Sequence, residues 1–186
     1  MHFSVKNLID ISVKVNKKLD ELGISNLEPN IIAVSKTFSI NHIKPLLDYG
    51  HVNYGENKVQ EATEKWSCLK AEYPNIKLHM IGRLQTNKVK MAVKIFDFIH
   101  SVDSLKLAKK IAEEQKKINK KINIFLQINI GDESQKSGVS LTSISNLYDE
   151  CINLDLNVLG LMCIPPLGAP VKEFFSQIKK KNDELN

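Results

Sequence analysis

The chain has 186 residues, of which 42% are hydrophobic and 25% are charged, a composition typical of a soluble globular protein with one sizeable core. Lysine and arginine together number 26 against 21 acidic residues, which gives a net charge of +5. Arg83 is the only arginine. Nucleic-acid-binding surfaces rely on the bidentate guanidinium group, so this distribution argues against a nucleic-acid partner.

The cysteines and the N-terminal segment exclude several further classes. Cys68, Cys151 and Cys163 are widely spaced and have no histidine nearby at metal-ligand spacing, so neither a disulfide framework nor a zinc site is predicted. The N-terminus alternates apolar and charged residues, which is unlike a signal peptide, and no apolar run is long enough to span a membrane. These features predict a cytoplasmic protein.

The elements predicted along the chain begin with a helix and then alternate between strands and helices. Apolar residues recur at helical spacing over residues 4–22, and Gly23 closes the pattern. Short apolar runs predict strands at 31–35, 51–54, 77–81, 98–102, 122–130 and 156–162. Helical patterns occupy 41–49, 58–71, 87–96, 104–119, 141–153 and the segment from residue 170 onward. This alternation with short loops predicts right-handed crossovers and a parallel sheet.

A barrel is favoured over an open sheet. No GxGxxG turn follows the first strand, so the sequence gives no support for a dinucleotide-binding fold. Distinctive polar residues follow several strands, as in barrel enzymes, at residues 36, 55–57, 82–87 and 131–138. The predicted fold class is therefore α/β, of the (β/α)8 TIM-barrel type. A closed barrel of this type needs eight strands, so we expect a single domain over residues 1–186 that lacks its last two strand-helix units.

Lys36 follows the first apolar run directly. By chance alone, one of many lysines can fall at a strand end and extend into water. Alternatively, a lysine desolvated at a barrel mouth favours the neutral amine, which attacks a carbonyl to form a Schiff base. Side chains alternate along a strand, so if Lys36 points inward, Ile32 and Val34 do too.

Other polar residues at strand ends are candidates for lining the same mouth. Asn57 is either a helix N-cap or a pocket residue, and the neighbouring Gly55 lets the backbone turn closely. His79, in the third strand, is either a hydrogen-bonded core residue or part of the site. Gln85 and Asn87 follow that strand, and Asn87 is also a plausible cap.

The segments after the last two predicted strands supply further candidates. The polar loop after the fifth strand predicts a lid or rim, with Asp132, Glu133, Ser134 and Lys136 as its polar members. Met162, at the end of the sixth strand, is predicted to line the mouth, and Cys163 is predicted to be buried.

Six ordered segments resemble one known family. "AVSKT", "YGENKVQE", "HMIGRLQTNK", "SVD", "QINIGDESQKSG" and "GLMCIP" match the YggS/PROSC family of pyridoxal phosphate homeostasis proteins in order and spacing. The resemblance implies a barrel of the alanine racemase type (fold type III) that holds pyridoxal 5′-phosphate as an imine on Lys36. It implies that Asn57 and the third-strand residues around His79 line the pocket, beside Val34 and Met162, which their positions in the predicted strands make candidates.

The same resemblance implies a role in distributing the cofactor, with no established reaction. It also implies a largely monomeric protein, with apoenzymes that use pyridoxal phosphate as possible recipients. Family members continue into a phosphate-binding strand end and an arginine that faces the pyridine nitrogen, and neither is found in this sequence. Two alternatives stay open: an amino-acid racemase or decarboxylase, although the second, β-rich domain of such enzymes is not found, and a fragment with little cofactor binding.

Overall fold

The computed structural model describes residues 1–131, 133 and 135–185, so Asp132 and Ser134 of the predicted rim lie outside the described residues. Strands and helices alternate along the chain after a first helix. In chain order the elements are α1 Phe3–Glu21, β1 Ala33–Val34, α2 Ile40–Asp48, β2 Asn53–Glu56, α3 Val59–Glu72, β3 Lys77–Met80, a 3₁₀ turn Thr86–Lys88, α4 Val89–Ile95, β4 Phe98–Val102, α5 Leu105–Lys117, β5 Asn123–Ile128, α6 Ile144–Asn153, β6 Asn157–Cys163 and α7 Val171–Leu185.

The six strands form one sheet whose spatial order follows the chain, β1-β2-β3-β4-β5-β6, and every described pairing is parallel. An order without reversal is typical of a barrel, whereas a doubly wound sheet changes direction at a switch point. The predicted α/β barrel class is thus confirmed for these six strand-helix units. Within the described part of the chain, β1 and β6 are the edges.

The first two strands differ from their predicted bounds. Only Ala33 and Val34 pair, with Tyr54 and Gly55, so β1 is shorter than the predicted 31–35. An edge strand has one neighbour and gains ladder bonds on one side alone. β2 extends through Gly55 and Glu56, beyond the predicted end at residue 54. Glycine and glutamate are poor strand formers, so the apolar pattern missed them.

The outer face of the sheet packs against the helices and forms the core. Leu78, Ile99, Ile124 and Leu126 from the strands are fully buried there. The alternate residues lie on the inner face and are mainly polar or aromatic: Asn53, His79, Phe98, His100, Asn123 and Phe125. This division follows from the alternation of side chains along a strand.

The last helix, α7, reaches the inner face at β6. A Cβ atom added at Gly160 would lie 3.0 Å from Asn182 Oδ1 and 3.9 Å from the ring of Phe125, the residue paired with Gly160 in β5. Ile178 of α7 is buried in the core cluster. Among the described residues, none of the helices combines the length and hydrophobicity needed to cross a membrane.

Candidate functional site

Lys36 lies two residues beyond the end of β1, at the carboxyl edge of the sheet, and its side chain is exposed. The predicted desolvation of this amine is therefore wrong for the described structure. Val34, two residues earlier, is 47% exposed. Both side chains are open to solvent because β1 is an edge strand. The Lys36 amine forms no hydrogen bond or ion pair with any residue that the structure describes, so it is accessible to a ligand.

Ser35 points away from solvent and is firmly bonded. It is 2% exposed, and its backbone N–H donates to the carbonyl of Gly55 at 2.9 Å. Its hydroxyl donates to Glu56 Oε1 at 2.9 Å, and its carbonyl accepts from Lys65 Nζ at 2.8 Å. Beyond β1, a single backbone bond to β2 is thus supplemented by side-chain bonds to β2 and α3.

Glu56 and Lys65 form a buried ion pair beneath this segment. The Nζ–Oε1 distance is 2.9 Å, and the side chains are 0% and 8% exposed. The indole N–H of Trp66 donates to the same oxygen at 3.0 Å. We call Ser35, Glu56, Lys65 and Trp66 the Glu56 cluster. Desolvating two charges is costly, so such a pair is weak evidence of stabilisation, and removing one partner leaves a buried charge uncompensated.

Thr37 is fixed from the same helix. Its backbone has a φ of 66°, and its N–H donates to Glu61 Oε1 at 2.7 Å. A β-branched residue in the left-handed region carries strain on the order of 1–3 kcal/mol, which the surrounding bonds must hold. The hydrogen bond from Thr37, together with Lys65 at 3.3 Å, lowers the pKa of Glu61. Both neighbours of Lys36 are therefore held by α3.

Asn57 lies at the end of β2, beside the first residues after β3. It is not the N-cap of α3, since Lys58 takes that position. Its Oδ1 atom is buried and has no hydrogen-bond partner among the described residues. A Cβ atom at Gly82 would lie 2.4 Å from the carbonyl oxygen of Asn57, so only glycine allows these two strand ends to meet.

Two cavities open at this carboxyl edge. The first, of about 220 Å³, brings together the predicted residues Asn57 and Gln85 with Lys58, Arg83 and Lys88. Three cationic side chains at one cavity suit an anionic ligand.

The second cavity has a volume of about 240 Å³, and Arg83, Gln127 and Lys136 contribute to its lining. Lys136 Nζ donates to the carbonyls of Ile164 and Pro165 at 3.3 and 3.4 Å and pairs with Glu133. The rim residue Lys136 therefore ties the loop after β5 to the turn after β6.

The remaining predicted residues lie elsewhere. Met162 in β6 pairs with Gln127, a lining residue of the second cavity. Asn87 is exposed within the 3₁₀ turn. Cys163 was predicted to be buried, but it is only partly buried. Within the described part of the chain, no group of three or more potential ligands could hold a metal ion.

His79 lies on the inner face, with both ring nitrogens engaged. Nε2–H donates to Asn53 Oδ1 at 3.1 Å, and Nδ1 accepts from His100 Nε2–H at 2.9 Å, the arrangement that matches donors with acceptors. The ring of Phe98 stacks on His79 at 4.3 Å. Burial, with the charge of His100, lowers the pKa of His79 to about 4, and burial lowers the pKa of His100 to about 4. Among the described contacts, neither nitrogen of His79 is free for a ligand.

Sequence reasoning missed Glu61, Lys65 and Arg83 as site residues. Glu61 and Lys65 are spaced for an i,i+4 pair on a helix, a signal that was available. Arg83 lines both cavities, and its being the only arginine could have marked it.

Residues 12–183 match the alanine racemase N-terminal domain, so the chain belongs to this family. Among curated relatives, a pyridoxal phosphate homeostasis protein of Aquifex aeolicus is 34% identical over 176 residues, which cover 92% of this chain and 76% of the relative. The protein of the same name from Escherichia coli K12 is 33% identical over 175 residues, covering 93% and 74%.

Solved structures agree with this assignment. PipY of Synechococcus elongatus PCC7942, with pyridoxal phosphate bound, is 31% identical with a TM-score of 0.75, covering 92% of this chain and 81% of that protein. Alanine racemase of Clostridium difficile 630 has a TM-score of 0.64 at 19% identity, covering 91% and 47%. The second likeness is one of fold alone.

Proposed function

We propose that this chain binds pyridoxal 5′-phosphate and takes part in the homeostasis of that cofactor, with Lys36 as the residue of covalent attachment. The observation that carries the proposal is the accessible amine of Lys36 at the carboxyl edge of the sheet, between two neighbours that are hydrogen-bonded in place. The relatives named for pyridoxal phosphate homeostasis, and PipY with the cofactor bound, support it.

The chemistry of the described residues fits this cofactor. Pyridoxal phosphate carries an aldehyde, which an accessible lysine amine can hold, and a phosphate, which cations attract. Lys58, Arg83 and Lys88 supply positive charge at a cavity that Asn57 also lines. As a lining residue of that cavity, Asn57 is the residue we assign to a polar contact with the cofactor. Val34, His79 and Met162 stay predictions as lining residues, as do Gln85, Asn87 and Lys136 at the rim.

We propose a carrier role without turnover. A covalently held cofactor gives catalysis only when a second acid or base is placed across it. Two titratable groups of the inner face, His79 and His100, are hydrogen-bonded to each other. A carrier of this kind would act in the cytoplasm as a monomer, with apoenzymes that require pyridoxal phosphate as recipients.

Reduction and peptide mapping test the attachment. The protein is mixed with one equivalent of pyridoxal phosphate, reduced with borohydride and digested, and the labelled peptides are identified by mass spectrometry. We expect the label on Lys36, its loss in Lys36→Ala, and its retention in Lys6→Ala, a control at an exposed lysine of α1. Label spread evenly over surface lysines and unchanged in Lys36→Ala would contradict the proposal.

Amino-acid racemisation and decarboxylation assays test the carrier role. We expect no turnover of common amino acids by the loaded protein. Turnover that disappears in Lys36→Ala would show that the chain is an enzyme.

A further inference from the structure

The side chain of Lys36 has no bonds of its own among the described residues, so its direction is set by the backbone that carries it. The sheet forms few hydrogen bonds with that backbone. β1 contains two residues, and its described pairings end with Val34 opposite Gly55. Past this point, the N–H of Ser35 is the only backbone group of residues 35–37 bonded to β2 in the described structure.

Side chains of β2 and α3 supply three further bonds. Glu56 accepts from the hydroxyl of Ser35, Lys65 donates to the carbonyl of Ser35, and Glu61 accepts from the N–H of Thr37. These contacts lie on each side of Lys36 but leave its amine untouched. Two of the three groups, Glu56 and Lys65, are almost fully buried charges.

From this arrangement we infer that the Glu56 cluster and Glu61 position Lys36 for capture of the cofactor aldehyde, an inference that rests on the proposed function. Glu56, Glu61 and Lys65 are positioning residues that act through the hydroxyl and carbonyl of Ser35 and the backbone N–H of Thr37. In the capture step, a C–N double bond forms between Lys36 Nζ and the aldehyde carbon. The carbonyl oxygen leaves as water and takes both protons of the neutral amine, so no oxidant or reductant is needed.

The positive φ of Thr37 gives Glu61 a specific role. Left unheld, a threonine would relax toward the extended or helical regions, and the chain direction at Lys36 would change with it. The hydrogen bond to Glu61 opposes that relaxation. Small displacements of a reacting group slow a reaction steeply. Loss of this hydrogen bond should therefore lower the rate at which the cofactor attaches to Lys36.

The sharpest test compares three variants on α3. Glu61→Ala removes the acceptor for Thr37, and Glu61→Gln removes the charge but keeps an oxygen that can accept. Glu64→Ala, at an exposed glutamate of the same helix, is the matched control. Attachment of pyridoxal phosphate is followed by its absorbance change, and the label on Lys36 is confirmed by borohydride reduction and peptide mapping.

We expect Glu61→Ala to attach the cofactor to Lys36 about tenfold more slowly than the natural protein or more slowly still. Glu61→Gln should recover most of that loss, and Glu64→Ala should match the natural protein. A purely structural role would lower the melting temperature of Glu61→Ala without slowing attachment, and that result would overturn the inference.

A double variant tests the buried ion pair in a protein that is expected to stay folded. Glu56→Gln combined with Lys65→Met removes both charges together, so neither is left uncompensated in the interior. We expect this protein to fold, as judged by circular dichroism, and to attach the cofactor at Lys36 at least about tenfold more slowly. An unchanged rate would overturn the inference while leaving the proposed function intact. Failure of the natural protein to attach the cofactor at Lys36 would overturn both.

Discussion

The two edges of the sheet are built in different ways. At one edge, β6 has seven residues and forms six register pairs with β5. At the other, β1 has two residues, and the segment beyond it is held by Glu56, Lys65 and Glu61. Backbone ladders fix β6, whereas charged side chains fix the chain next to β1. The accessible lysine therefore lies where the local structure depends on a few named side chains.

Among single substitutions, breaking the buried ion pair should give the largest effect. Lys65→Met leaves the carboxylate of Glu56 buried without a counterion, and we expect the free energy of unfolding to fall by about 3–5 kcal/mol. Lys179→Met is the control beside the other edge. It removes an exposed i,i+4 pair with Asp183 on α7 and should cost about 0.5 kcal/mol or less. Urea denaturation of both variants measures the contrast, and equal losses would contradict it.

Acidification should weaken the middle of the sheet. His79 and His100 have pKa values lowered to about 4, from 6.5 in the unfolded chain, so the unfolded state binds more protons between these values. The contribution of these two histidines to the free energy of unfolding is therefore full above pH 6.5 and falls as the pH drops toward 4. The loss is roughly 3 kcal/mol per histidine at most, at about 1.4 kcal/mol for each pH unit. Denaturation at several pH values checks the slope, which should flatten in His79→Leu.

Filling the space at Gly82 should separate the ends of β2 and β3. The new methyl group of Gly82→Ala would lie 2.4 Å from the carbonyl oxygen of Asn57, and we expect a loss of about 1–3 kcal/mol. Gln85→Ala, at an exposed position three residues later, should stay within about 0.5 kcal/mol. Thermal unfolding of both proteins distinguishes the steric effect from a general sensitivity of this segment.

The smallest effect is expected for a side-chain bond at the β6 edge. The amide of Asn157 donates to Asn123 Oδ1 at 2.6 Å, but the contact is exposed and the ladder beside it is long. Asn157→Ala should change the free energy of unfolding by about 0.5 kcal/mol or less. A loss similar to that of Lys65→Met would show that both edges depend equally on side chains.

Much of the fold could be predicted from the sequence, because alternating apolar runs and helical patterns carry it. The strand at residues 98–102 has its predicted bounds. The end of β2 was missed, since Glu56 is a charged residue whose burial depends on hydrogen bonds from Ser35, Lys65 and Trp66. No local pattern reports a contact across nine residues and two elements.

The site could be predicted only in part, for a similar reason. The position of Lys36 after an apolar run is a local signal, and the structure places it at the carboxyl edge of the sheet. Its exposure is not a local signal, because it depends on β1 being an edge strand. The roles of Lys65 and Glu61 depend on how α3 packs beside β1, and this becomes visible only in three dimensions.

The position of Trp66 has a practical consequence. It is the only tryptophan of the chain, it is fully buried, and its indole N–H is bonded to Glu56. Tryptophan emission from this protein therefore comes from a single ring beneath the Ser35 segment, without any engineered label. Changes in the wavelength or intensity of this emission can follow rearrangements of the residues beneath Lys36 in real time.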